Sequence, residues 1–376
     1  MFKLLRTAIR FMVYDKPKSI GALAGIIISS FLIGQQVGIF IFLTNAMASL
    51  VQNNNQYIWV VDETTTNVNA LSPLDMRIGR ELESIPGVAK VHPLVIAAGS
   101  ARFENGKSSG MVLIGAQYPD FAGGPWNVTE GKKEDLLQEG AIFTDFFDRK
   151  ALGGAEIGDY FEVNGQKVFI AGNTRGVRSF SGVYSFTTIE RARSLGNVPN
   201  TRASAFLIDW DPAYTQDTVI KMINANIKGI RAWGGDQFRA ESVATVLGSS
   251  GIALSFGTLV IFALISGLVI IGLTLYSAAI DRIRDYGTLK AIGATNGYIR
   301  GLILTQATLF AIIGFIISTF LVEGFRSGVA SAGTIFNFPP VVRLSFFLIT
   351  FFISIGGSLF AIRRITRLEP AQVFRG

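Results

Sequence analysis

The stretch that decides the fold is IGALAGIIISSFLIGQQVGIFIFLT, residues 20–44, twenty-five positions without a single Asp, Glu, Lys, Arg or His. Wound as an α-helix at roughly 1.5 Å per residue it reaches about 37 Å, more than the thickness of a bilayer core of about 30 Å. Working outward along the chain, three further stretches of this kind appear. The segment between Glu241 and Asp281 is apolar from about Gly251 to Ile280, Gly301–Val322 lies between Arg300 and Glu323, and Leu344–Ile362 lies between Arg343 and Arg363. The first follows basic Lys3, Arg6 and Arg10 and precedes Ala46-Met47-Ala48, yet it far exceeds the 7–15 apolar residues of a cleaved signal peptide, so it reads as a retained span. The predicted architecture is an α-helical membrane protein with four transmembrane helices and an α+β extracytoplasmic domain inserted between helices 1 and 2.

Composition agrees. Of 376 residues 49% are hydrophobic and 16% charged, against roughly 25% charged in soluble domains, and the mean hydropathy is +0.41. The absence of Cys rules out disulfides, thiolate metal sites and a cysteine nucleophile. The lone His92 rules out a multi-histidine centre within one chain.

Lys and Arg beside membrane spans are retained on the cytoplasmic side, which sets the orientation. Lys3, Arg6, Arg10, Lys16 and Lys18 precede the first span; Arg282, Arg284, Lys290 and Arg300 fill the second-to-third loop; Arg363, Arg364, Arg367 and Arg375 follow the fourth. These segments carry thirteen basic residues against four acidic ones, whereas the remainder has 21 basic and 23 acidic. The pI of 9.6 is therefore membrane topology and lipid-bilayer contact, with no nucleic acid implied. The expected organisation is a cytoplasmic amphipathic N-terminus (1–18), the first span with a stalk (19–50), the extracytoplasmic domain (51–240), and a stalk with the second span (241–280). A cytoplasmic loop (281–300), the third span (301–322), a short extracytoplasmic loop (323–343), the fourth span (344–362) and a cytoplasmic tail (363–376) complete it. Because the first two apolar stretches exceed what a membrane requires, both are expected to continue past the lipid as uninterrupted helices.

In the inserted domain, Asn164-Gly165 between Tyr160–Val163 and Val168–Ala171 predicts a tight hairpin. Other predicted strands are Tyr57–Val61, His92–Phe103, Met111–Ala116, Tyr184–Thr187 and Ala203–Trp210; predicted helices are Pro73–Ile85, capped by Ser72, and Pro212–Lys228. His92 reads as a structural histidine at a strand start, and Asp120, Asp145, Asp148, Asp209 and Asp211 as solvated carboxylates, so no catalytic or metal-binding residue is assigned. Gly106-Lys107-Ser108 approaches a phosphate-binding loop, but Ala101 stands where its first glycine is needed, and Gly153-Gly154-Ala155-Glu156-Ile157-Gly158 misses the dinucleotide spacing. No ATP-binding motif and no cofactor site are recognised. Gly21 and Gly25, and Gly34 and Gly38, sit four apart on the first span and suit close helix packing, within the chain or with a second copy.

The most specific stretch follows the second span: Asp281-Arg282-Ile283-Arg284-Asp285-Tyr286-Gly287-Thr288-Leu289-Lys290-Ala291-Ile292-Gly293-Ala294-Thr295. It resembles the E-R-x-R-E-I-G-x-L-K/R-A-I/L-G-A signature of the FtsX-like permease domain of MacB-type ABC transporters, with Asp for Glu at 281 and 285 and Tyr286 for Ile. The ending Leu368–Arg375 is similar to the family's P-x-x-x-L-R terminus, with Phe374 where Leu is commoner. Ile85–Val91, and Glu156–Asp159 with Ile170–Gly172, look like parts of a MacB-type periplasmic domain. With no fused ATPase, the resemblance implies the DevC-like or LolC-like branch, in which a separate subunit binds ATP and Mg. It further implies a homodimer in the bacterial inner membrane, both termini cytoplasmic, that relays ATP-driven motion to its periplasmic domains for export, with a periplasmic adaptor and outer-membrane channel as further partners. Asp281, Arg282, Arg284, Asp285, Gly287, Lys290 and Gly293 are the expected ATPase-coupling residues, Gly287, Gly293 and Gly297 allowing turns between helical pieces. Lipoprotein extraction or regulation of cell-wall hydrolases is the alternative within the family; a four-span sensor or scaffold without an ATPase is the alternative outside it.

Overall fold

The structure, a computed structural model, describes residues 2–14, 16–104 and 106–366. Helices α1 (Phe2–Tyr14) and α2 (Lys16–Met47) come first. There follow α3 (Ser49–Gln52), β1 (Ile58–Asp62), β2 (Leu74–Asp75), α4 (Arg77–Glu83), β3 (Val88–Arg102), β4 (Ser108–Ala116), β5 (Val128–Glu130) and β6 (Ala141–Asp145). Next are β7 (Tyr160–Val163), β8 (Gln166–Thr174), β9 (Val183–Thr188), α5 (Ile189–Gly196), β10 (Arg202–Ala203), β11 (Ala205–Trp210), α6 (Gln216–Asn226), β12 (Ile230–Gly234) and α7 (Gly235–Ser250). The chain then runs through α8 (Ile252–Asp281), α9 (Ile283–Ala291), α10 (Asn296–Ala330) and α11 (Pro340–Thr366). By contact these elements divide into a helical unit, Met1–Ile41 with Ala253–Ser331 and Ile335–Gly376, and a soluble unit, Phe42–Ile252 with Ala332–Thr334.

Four helices of the described residues are long and apolar enough to cross a membrane: Lys16–Met47, Ile252–Ala278, Asn296–Ala330 and Pro340–Arg363. Close approach between them is set by small residues. A Cβ added at Gly25 would run into Ile270, one at Gly38 into the ring of Phe336, and one at Gly34 would come within 2.6 Å of Val322 Cγ2, while Gly21 faces Thr274 at 3.7 Å. The spaced glycines thus face neighbours within this chain. Buried hydroxyls add hydrogen bonds between helices, Thr350 Oγ1 to Ser30 Oγ at 3.1 Å and Ser354 Oγ to the Ala307 carbonyl at 2.6 Å.

Two expectations about these helices need correction. The first stretch is one helix, α2, unbroken for 32 residues, but the second is not uninterrupted: α7 ends at Ser250, Gly251 adopts φ 67°, and α8 starts at Ile252. A glycine takes the left-handed conformation at no steric cost and closes one helix before the next begins. In addition, α10 continues eight residues beyond Val322, and the linker to α11 shrinks from the expected 323–343 to 331–339. Glu323 and Arg326, expected in the loop, form an ion pair one turn apart that favours helix. The expected tail motif at Leu368–Arg375 lies outside the described residues.

Among the described residues ten strands form one mixed sheet of the soluble unit, in the order β12-β1-β11-β3-β4-β9-β6-β8-β5 with β7 pairing β3 and β8, and β10 pairs β2 separately. The Asn164-Gly165 hairpin forms as expected: Val163 pairs Gln166, and both turn residues take positive φ, 50° and 81°. One core holds Trp59, Phe143, Phe186, Leu207 and Phe238; another packs Phe206, Ile208 and Val60 against α4 and α6 through Leu82, Val219 and Ile223. The segments that lead into and out of this unit are joined, Arg239 Nη2 donating to Asn45 Oδ1 at 3.2 Å and Asn55 Nδ2 to Asp236 Oδ1 at 3.3 Å.

Local polar chemistry shifts the two predicted helices. Pro73–Asp75 is not helical: Leu74 and Asp75 form β2, and the Asp75 carboxylate takes the Arg77 N–H at 2.9 Å, so α4 begins later. Asp211 likewise turns the chain by accepting from Ala213 N at 2.8 Å, and Thr215 caps α6. His92 lies inside β3 rather than at its start, buried, with Nε2 2.8 Å from Asp209 Oδ2. Asp145 and Asp148 are buried rather than solvated. Asp145 accepts from Val177 N at 2.8 Å, and Asp148 pairs with Arg178 at 2.5 Å.

All four tryptophans, Trp59, Trp126, Trp210 and Trp233, belong to the soluble unit, so tryptophan fluorescence, excited selectively over that of tyrosine, follows its unfolding. Gly115 of β4 packs directly under α5, where a Cβ would meet Ala192 and lie 2.9 Å from Ile189 Cα. Gly115→Val should therefore destabilise this unit by about 1–3 kcal/mol, seen as an earlier tryptophan transition in denaturant.

Candidate functional site

The 281–295 signature folds into α9 and its two joints, all within the helical unit. The helix stops because Gly293 can take φ 101°: its N–H bonds the Lys290 carbonyl at 3.0 Å, and the next N–H, of Ala294, bonds the Leu289 carbonyl at 2.9 Å. Thr295 then caps α10, accepting from Tyr298 N at 3.2 Å. Gly293 is the turn glycine expected. Gly287 and Gly297, by contrast, lie inside α9 and α10, so neither makes a turn.

The seven expected coupling residues separate into an anchoring set and an outward set. Asp281 forms an ion pair with Lys18 at the start of α2. Arg282 lies over two aromatic rings of α1, 4.6 Å from the centroid of Phe11 and 5.0 Å from that of Tyr14. Each such contact contributes about 0.5–2 kcal/mol, more where water is excluded. Its Nη2 is buried with no hydrogen-bond partner among the described residues, so the rings hold this cation rather than a carboxylate. Tyr286 completes the cluster. It is 3% exposed, 5.8 Å from the Phe11 ring, and burial pushes its hydroxyl up to about 12. Lys290 Nζ reaches across to the Ile365 and Thr366 carbonyls at 3.3 and 3.2 Å, satisfying groups that the end of α11 leaves without a helical partner.

Arg284 and Asp285 instead face outward, both exposed. Ile292, at the joint after α9, is 76% exposed, a large apolar side chain among polar neighbours. Sequence reasoning missed Ile292, Phe11, Tyr14 and Lys18. The first was discoverable as an apolar residue directly before a helix-stopping glycine; the others carry no local mark, because their partners lie more than 250 positions away. Helix α1 has the expected amphipathic pattern on two sides. Ala8 is fully buried and Phe11 packs inward, while Leu5, Ile9 and Val13 form an exposed apolar row.

Residues 257–370 match the FtsX-like permease C-terminal domain. An uncharacterized ABC transporter permease of Mycobacterium bovis is 25% identical over 301 residues, covering 77% of this chain and 76% of that one. Another from Mycobacterium tuberculosis is 24% identical over the same shares. The chain is a multi-pass membrane permease of the ABC transporter class, FtsX-like in its C-terminal part. Such a permease works with an ATPase subunit. Among solved structures, the extracellular domain of the ABC-type transporter YknZ from Gram-positive bacteria is similar at 12% identity, covering 47% of this chain and 99% of that one with a TM-score of 0.36. The periplasmic region of MacB from Actinobacillus actinomycetemcomitans is similar at 13%, covering 52% and 94%, with a TM-score of 0.37.

The aromatic seat of Arg282 should be measurable. Arg282→Gln should raise amide hydrogen exchange across α1 on the order of fivefold, the equivalent of about 1 kcal/mol, while Arg282→Lys, which keeps the charge, should change it less. Mass-resolved exchange in nanodiscs checks both, and unchanged protection of α1 in the Gln variant would remove the seat's anchoring role.

Proposed function

We propose that the outward face of α9 and of the joint after it, formed by Arg284, Asp285 and Ile292, is the docking point of a separate ATPase subunit, and that the chain transmits that subunit's motion to its extracytoplasmic domain. One observation carries the reading. Across α9 and its two joints, the inward residues are tied to α1, α2 and α11 while one cation, one anion and, just past the helix, one large apolar side chain stand exposed. Ile292, 76% exposed, is an apolar side chain available for a partner to bury. A charge pair of opposite sign beside an apolar anchor supplies both steering and a buried contact for a partner. The anchors make α9 a lever, since displacement of its outward face acts at once on the ends of α1, α2 and α11.

The positive-inside bias supports placement of this face, with both termini, in the cytoplasm and of the large domain outside the membrane. The family resemblance supports an inner-membrane homodimer acting in export, joined by a periplasmic adaptor and an outer-membrane channel. The mechanism asks the chain to move rather than to bind ATP, and substrate need not cross through it.

Two experiments test this. Mass spectrometry of what co-purifies with the tagged chain in mild detergent should recover an ATP-binding protein, cross-linkable from position 292, and any adaptor recovered with it separates export from the other family functions. No ATPase after cross-linking would favour the four-span sensor or scaffold. Ile292→Asp should weaken ATPase association by about tenfold, the loss of one apolar anchor, with the tryptophan transition of the soluble unit unmoved. Replacing Arg284 and Asp285 together by Ala should lose the ATPase or uncouple its hydrolysis from transport, and full transport by that variant would sink the assignment.

A further inference from the structure

At the ends of α10 and α11 nearest their linker lies a cleft of about 300 Å³, wholly within the helical unit. Its walls are Phe315, Thr319, Phe320 and Val322 of α10, Phe338 of the linker and Phe346 of α11. The back is firm: the Phe315 ring is 5.6 Å from that of Phe346, and Gly34 of α2 presses on Val322 and Phe346 so closely that a Cβ there would lie 2.6 and 3.3 Å from them. The front is open, with Phe320 74% exposed. Glu323 and Arg343 stand at the rim.

The charges at that rim are unequal. Glu323 is engaged by Arg326, whose Nε lies 3.0 Å from each carboxylate oxygen and whose Nη1 also donates to Asn337 Oδ1 at 3.4 Å. Arg326 therefore pairs with Glu323, whereas the Arg343 guanidinium, which also acts on that carboxylate electrostatically, makes no hydrogen bond or ion pair of its own among the described residues. One net positive charge remains about one turn from Phe346. An open cleft lined by phenylalanines offers water few polar partners and is better occupied by apolar groups. The occupant must be apolar for about 12 Å, the rise along α10 from Phe315 to Glu323, and anionic at one end.

We propose that this cleft binds one anionic phospholipid, its acyl chain against the phenylalanines and its phosphate on Arg343. A phosphate oxygen accepts two N–H groups from a guanidinium at once, which is what a free arginine at a membrane surface offers. Net charge selects the lipid class. A zwitterionic headgroup brings an ammonium that finds Glu323 already paired with Arg326, while an anionic headgroup meets only the spare positive charge. The site lies at the opposite end of α10 from α9 and needs no ATPase.

Native mass spectrometry of the full chain in detergent, titrated with phosphatidylglycerol or with phosphatidylcholine of the same acyl length, tests the proposal. One phosphatidylglycerol should bind in preference, with affinity lowered about tenfold in Arg343→Gln and partly restored in Arg343→Lys. Thr319→Trp, which fills the cleft and leaves the cation in place, should lower it by a similar factor. An arginine that merely reaches for headgroups would be insensitive to Thr319→Trp, and that result overturns the proposal, as does equal binding of phosphatidylcholine. Should the tryptophan variant not fold, eight-carbon and sixteen-carbon phosphatidylglycerols on the unaltered chain decide: equal affinity, or displacement of both by inorganic phosphate at the same concentration, reduces the site to a phosphate contact and overturns the lipid assignment.

Discussion

A peptide group left unpaired in hydrocarbon costs several kcal/mol, and the helical unit depends on that one constraint. Each span meets it by closing its own backbone bonds, and even side-chain hydroxyls turn back: Thr274 donates to the Ile270 carbonyl, Thr305 to Gly301 and Thr319 to Phe315, each at 2.7 Å. Polar chemistry is thereby driven to the helix ends. At one set of ends it collects around α9; at the other it collects around Glu323, Arg326 and Arg343. Between them the helices offer shape and a few buried hydroxyls, which is why glycines and serines decide how closely they pack.

What was legible in the sequence was local. Four spans follow from uninterrupted apolar length, and the 164–165 hairpin follows from two residues able to take positive φ between alternating strands. The signature after the second span resembles that of an FtsX-like permease domain. Three kinds of feature escaped. Helix starts at Arg77 and Gln216 were hidden by Asp and Thr side chains that bond nearby N–H groups and hold the chain in turns first. The extension of α10 past Val322 depends on one ion pair between residues that composition assigns to a loop. The division of the signature into anchors and an outward face depends on Phe11, Tyr14, Lys18 and the end of α11, partners that only the folded helical unit brings to α9. Spacing within the motif could name the residues but could not tell which of them are already engaged.

The soluble unit has its own solution to a related problem. A domain inserted between two helices must bring its two connections together, and it does so through the Asn45–Arg239 and Asn55–Asp236 hydrogen bonds, with Phe238 of α7 set 5.7 Å from Trp59 and 6.0 Å from Trp233. The incoming and outgoing segments are thus fixed to the same core that carries the sheet. The left-handed residue at Gly251 then ends α7, and α8 begins at Ile252.

The way Arg282 is held bears on how α9 can respond to a push. Hydrogen bonds weaken steeply with angle, so an arginine locked to a carboxylate would resist any tilt of its helix. A guanidinium resting on the faces of two rings is held by a broad electrostatic attraction with a shallow dependence on rotation and sliding. With Nη2 bonded to no described group, no directional bond at this point has to break when α9 turns against α1. The contact is like that of a bearing, holding Arg282 against α1 without a directional bond, while directional contacts stand beside it in the ion pair of Asp281 with Lys18 and in the hydrogen bonds of Lys290 to the end of α11.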